Sequence, residues 1–206
     1  MTAATADIID LLAGIAPGDA LSAVRDQRAQ ARENAQRSFE ALLEPADAGT
    51  FPLSERYAIA AFVAQVHGFA AASDFYGDLL GDEAPELVDA IADAARSGAA
   101  TGTFGAYREP ALQSENTGGT RWTADAGVGT RLAAALTHAH LLVFRPREAR
   151  HEALRALVDA GWSADDIVSL SQLVAFLSFQ LRAAWGLRVL AQTPAVQDPA
   201  LIGEGA

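Results

Sequence analysis

The chain has 206 residues, half of them apolar and 20% charged, a composition that suits one globular domain with a substantial core. Its formal net charge of −11 repels phosphate backbones and anionic bilayers, so neither nucleic acid nor membrane is expected as a partner. All 15 basic residues are arginines and cysteine is absent, which excludes lysine Schiff bases, disulfides, thiolate metal sites and thiol catalysis.

Near the start, Asp7 and Asp10 stand where a secretory signal would carry basic residues, so a cytoplasmic location is expected. Across 19–43, Leu21, Val24, Ala31, Ala35, Phe39 and Leu42 recur at helical steps, and Arg25, Arg32, Glu33, Arg37 and Glu40 form a solvated face. A loop from Pro45 to Pro52 follows, and Ser54 is placed to cap a helix running to about Val66. Gly68 permits a turn into a second helix that ends near Leu80, and another helix spans 83–97 with Pro85 in its first turn.

Residues 98–129 are rich in glycine and predict one long irregular segment, of the kind that serves as a lid or a mobile linker. Helices are expected again over 126–144, stopped by Pro146, and over 147–160, closed by Gly161. Ser163 and Asp166 have the spacing of a capping box for a last helix to about Leu190. That helix is apolar on nearly all sides, yet its most apolar run, 167–181, is short for a membrane span and holds Ser171, Gln172, Ser178 and Gln180. The tail 193–206 is rich in Pro, Gly and Ala and is expected to be flexible. No segment alternates as a strand would. The expected fold class is all-α, with an N-terminal helical extension over 1–50 and a main helical domain over 51–192.

Residues 53–76, LSERYAIAAFVAQVHGFAAASDFY, resemble the signature region of the carboxymuconolactone decarboxylase superfamily, which includes the AhpD-like alkylhydroperoxidases. Residues 160–190, AGWSADDIVSLSQLVAFLSFQLRAAWGLRVL, are similar to the C-terminal helix of its longer, peroxidase-related members. The resemblance implies an AhpD-like helical bundle and a homo-oligomer, and the last helix, apolar on more than one side, or the 19–43 helix is expected in its interface. It fails at the reactive positions. The general-base glutamate of the thiol enzymes falls on Tyr57, the two cysteines on Phe69 and Ala72, and the histidine on Tyr76. A dithiol couple cannot be built from these residues, so thiol peroxidase activity is not expected.

What remains is either a ligand pocket or packed core. Phe69, Ala72 and Tyr76 share a helical face at i, i+3 and i+7, with Tyr57 and His67 just upstream. His138 and His140 diverge by about 200° on a helix and read, with Glu148 and His151, as a solvated polar end. No metal and no cofactor is expected. Arg145, Arg147 and Arg150 either complement a helix C-terminus or bind an anion. Arg182, beside Gln180 and Trp185, either anchors a substrate carboxylate or pairs with an acidic residue in an interface. Two functions stay open. One is a thiol-independent enzyme or binding protein for a small organic acid, lactone or peroxide-derived compound. The other is a non-catalytic oligomerising partner of a thiol-active paralogue.

Overall fold

The computed structural model describes residues 7–192 apart from 106, 117 and 120, and the expected tail at 193–206 lies outside these. Every regular element among the described residues is helical, as the spacing of apolar residues predicts. Helix α1, Ile8–Ala13, is capped by Asp7, whose carboxylate accepts the Asp10 N–H, and Gly14 closes it at φ 71°. Its Ile8, Ile9 and Leu12 enter the main core, so the N-terminal segment is docked on the bundle.

The helix expected over 19–43 is two helices, α2 at Ala20–Asp26 and α3 at Ala29–Leu43. The break lies in an exposed polar stretch, where no buried side chain holds a continuous helix. Arg25 before the break and Arg32 after it both grip Asp10 of α1, and Arg25 also holds Asp7. The predicted solvated face is thus partly a joint.

Helix α4, Leu53–Val66, is the axis of the fold. Its Ala58–Ala64 run is fully buried, because small side chains let α5 (Ala70–Glu83), α6 (Val88–Ser97) and α7 (Thr130–Phe144) close in on it. Ser54 is not its cap. The cap lies two residues earlier, at Pro52, and the helix starts at Leu53. Prolines also shape two other starts: Pro85 and Pro146 each open a 3-10 turn, so α6 begins at Val88 and α8, His151–Asp159, begins later than predicted. Likewise α7 begins at Thr130, after a 3-10 turn and Gly129.

The last helix, α9, spans Ala164–Gln192 and packs against α1, α3, α4, α7 and α8. Its start is fixed by Ser163, whose Oγ accepts the Asp166 N–H at 3.1 Å. The Asp166 carboxylate does not complete the box alone; it accepts from Thr50 Oγ1 at 2.9 Å and faces Arg131 at 3.5 Å. By length and composition α9 could cross a bilayer, but 44% of its apolar window is buried inside the bundle.

The glycine-rich segment is strapped down. The Trp122 ring stacks on Phe62 of α4 with centroids 5.2 Å apart, and its Nε1–H donates to Ser97 Oγ at 2.9 Å. Phe104 donates its N–H to the Phe144 carbonyl at 2.7 Å, and Arg145 donates to the carbonyls of Gly118 and Gly119. A Cβ at Gly119 would meet the Phe104 ring at 2.5 Å, so only glycine allows that approach.

Two arginines join distant segments through backbone oxygens. Arg131 of α7 donates to Glu55 at 3.0 Å, to the Gly161 carbonyl at 2.7 Å and to the Thr50 carbonyl at 2.9 Å, while lying 4.0 Å over the Trp162 ring. Buried Arg56 donates to the carbonyls of Phe51 at 2.8 Å and Leu42 at 2.6 Å.

A candidate ligand cavity between the His-Gly turn and the last helix

Helix α4 ends at Val66, and Gly68, at φ 68°, swings the chain back into α5. His67 and Phe69, either side of that glycine, face one turn of α9. Together with Leu181, Arg182, Trp185 and Gly186 they enclose a cavity of about 330 Å³, at the small end of ligand sites. Phe69 meets Trp185 edge-on with centroids 5.5 Å apart, so two aromatic rings form one wall.

The polar groups are few and unspent. His67 Nδ1 lies 2.8 Å from the Val63 carbonyl, which only an Nδ1–H can satisfy. Its Nε2 therefore carries the lone pair, and that atom is buried without a partner. Burial lowers the His67 pKa, the Val63 carbonyl opposes this, and the Arg182 charge lowers it again, so the ring is neutral at neutral pH. Arg182 is exposed and forms no ion pair among the described residues, so no acidic residue of a neighbouring helix holds it there. The cavity thus offers a cation and an aromatic wall, and the Nε2 of the His67 ring lies buried behind its surface. Across Arg182 lies an open groove of about 1060 Å³, between α9 and the end of α7, lined by Leu142, Pro146, Val174 and Phe179.

Three of the six candidate residues converge here: His67, Phe69 and Arg182. The other three are elsewhere. Ala72 and Tyr76 are wholly buried in the core, where the Tyr76 hydroxyl donates to Gln180 Oε1. Burial pushes that phenol far up, and Gln180 Nε2 has no partner. Tyr57 is buried away from the cavity, its phenol raised by desolvation and then by Glu44 and Glu83. The predicted stripe fails at its first member, because Phe69 has extended backbone ahead of α5 and does not share the helical face.

The two histidines of α7 are not a solvated end. His138 and His140 are 4% and 2% exposed, and burial lowers both imidazole pKa values. His140 Nε2 lies 2.9 Å from the Gly98 carbonyl and its ring packs on Trp122 and Phe144. His138 has only a long contact, Nε2 to Ser171 Oγ at 3.5 Å. They diverge, as helical spacing predicts, and no group of acidic and histidine residues able to hold a metal occurs among the described residues. Of the arginines after α7, Arg147 and Arg150 line, with Arg121, a groove of about 600 Å³ whose walls also carry Glu148 and Glu152. Arg145 holds Glu148 at 2.8 Å and the glycine-rich segment, and Arg147 holds Glu109 at 3.3 Å over the Tyr107 ring.

Trp185, Leu181 and Gly186 complete the cavity and escaped sequence reading as site residues. The available signal was Arg182-x-x-Trp185-Gly186, one helical turn that places a cation, an aromatic ring and a gap together. Arg131 was missed as a joint, since its partners are far away in sequence. Comparison of the chain with protein-family models and with curated proteins gave no match.

Proposed function

We propose that the chain is an AhpD-like protein that has lost thiol chemistry and binds a small organic acid in the His67–Arg182 cavity. The observation that carries this reading is the guanidinium of Arg182, which has no ion pair among the described residues, beside an imidazole whose buried Nε2 lacks a donor. A carboxylate would take the arginine and a hydroxyl on the same molecule would donate to His67. An unsaturated or aromatic body would lie against Phe69 and Trp185. A neutral imidazole with a free lone pair also has the form of a general base, which suits proton abstraction from an acidic lactone or hydroxy acid. No step of this kind needs sulfur, consistent with a chain that has none in cysteine form.

Trp185 is half exposed at the cavity and reports on its occupation. Titration with benzoate and with hydroxybenzoates should change its fluorescence. Arg182→Gln should weaken the best of these ligands about tenfold or more, while unfolding at the same temperature because position 182 is exposed. Equal binding by the variant, or no response to any carboxylate, would remove the basis for the reading.

A further inference from the structure

Helix α7 stops at Phe144 and a 3-10 turn begins at Pro146, so α9 runs on past the end of its neighbour and the groove of about 1060 Å³ opens beside it. Buried Val143 and Val174 form the floor of that groove, and Leu142, Phe179 and Ala183 form its sides. Arg182 is the one charged residue among the described residues that line it. The same arginine lines the His67 cavity. One cation, with no ion pair among the described residues, thus stands between a small chamber and an apolar trough. The trough is at the upper end of the size range of ligand sites, far more than a small acid fills.

We propose that the acid bound at Arg182 is a long-chain one, with its carboxylate on the guanidinium and its alkyl chain lying in the α7–α9 groove towards Ser171. The carboxylate anchor rests on the cavity reading given above; the chain rests on the groove. Such an acid matches the lining in order, an anion against the cation and methylenes against Phe179, Val174 and Leu142. A small anion needs no trough, and a neutral hydrocarbon gains nothing from the cation. Ser171, at the far end, donates its hydroxyl hydrogen to the Ile167 carbonyl at 2.8 Å. A methyl terminus therefore suits that end better than a second carboxylate. From Ser171 to Arg182 the helix rises about 16.5 Å at about 1.5 Å per residue. An extended alkyl chain, with C–C bonds of about 1.5 Å, advances about 1.25 Å per carbon, so about twelve to fourteen carbons span that distance. The cavity on the other side of Arg182 is left for the group that the acid carries beside its carboxyl carbon, against Phe69 and Trp185.

Calorimetric titration of the whole chain with straight-chain acids from hexanoate to hexadecanoate, below their micelle concentrations, tests the proposal. In an open groove a methylene is about half covered, so each added carbon should tighten binding about twofold. Dodecanoate should therefore bind about tenfold or more tightly than octanoate, and the gain should level off beyond tetradecanoate. Dodecanedioate should bind severalfold more weakly than dodecanoate. Dodecanoate should displace benzoate, and Arg182→Gln should weaken both. Ala175→Asp, at an exposed position of the groove, should weaken dodecanoate about tenfold and leave benzoate binding unchanged. Affinity independent of chain length, dodecanol bound as tightly as dodecanoate, or dodecanoate and benzoate bound together would each overturn the proposal. So would a length-independent response from protein with twice the chain mass of 21.5 kDa in light scattering, which gives the groove to a second copy. Ligand-free protein that floats with phosphatidylcholine vesicles gives the groove to a membrane and overturns it too. Benzoate binding without a chain-length effect sinks the chain and spares the cavity reading, whereas Arg182-dependent dodecanoate binding without any benzoate response does the reverse.

Discussion

Tyr76 and Gln180 form a polar pair inside an apolar core, and their contribution can be separated by a double-mutant cycle. Both residues are wholly buried, the hydroxyl donates to Oε1, and Nε2 is already without a partner. Tyr76→Phe removes the donor and leaves the whole amide of Gln180 unsatisfied. A stranded buried polar group costs about 1–3 kcal/mol, so the variant should lose about 2 kcal/mol. For a chain of this size that is a fall in Tm of about 4–8 °C. Gln180→Met strands the phenol instead but also removes the orphaned Nε2, so it should cost about 1 kcal/mol. The double variant removes every unsatisfied atom at similar volume and should be more stable than either single one, at or above the wild type. Urea unfolding followed by circular dichroism gives all four corners. Tyr76→Phe within about 0.5 kcal/mol of wild type, or a double variant below both singles, would refute the reasoning.

Two further outcomes follow from the fold. Trp122→Ala should remove the stack on Phe62 and the bond to Ser97, cost about 3 kcal/mol, and make Arg108 and Arg121 the first tryptic sites; an unchanged cleavage pattern would show that the segment is held otherwise. Burial depresses the imidazoles of His67, His138 and His140, so the unfolded chain takes up protons that the native one refuses as pH falls below the ordinary value of 6.5. Their contribution to stability is complete above that value and is lost as pH falls through it, so urea midpoints should decline from about pH 7 to about 5.5; a flat profile would mean that these rings titrate freely.

Helical spacing made the all-α class and most helices readable, and glycine chemistry located the turns at Gly68 and Gly161. The misreadings have a common cause in long-range contacts. The exposed polar stretch marks the break after Asp26 only weakly, and its tie to Asp7 and Asp10 at the start of α1 is long-range. Nothing periodic announces that Trp122 crosses to α4 or that His140 is covered by the segment Trp122 anchors. The cavity was legible in pieces. His67, Phe69 and Arg182 stood out singly for their chemistry, but their meeting depends on how α9 lies across the His-Gly turn. Tyr76 was a sound candidate by type, and burial gave it a structural partner in Gln180.

The arginine joints have a consequence for the grammar of the fold. A helical bundle has no sheet to absorb the carbonyls of its connecting segments and helix ends, and those at Leu42 in the last turn of α3 and at Phe51, Thr50, Gly161 and Gly118 between helices are answered by guanidinium groups. A planar fork with five donors can serve two or three such oxygens at once from fixed directions. An ammonium group has the charge but not the geometry. The connections are thereby spelled in side chains, and a chain without a single lysine has a vocabulary suited to that task.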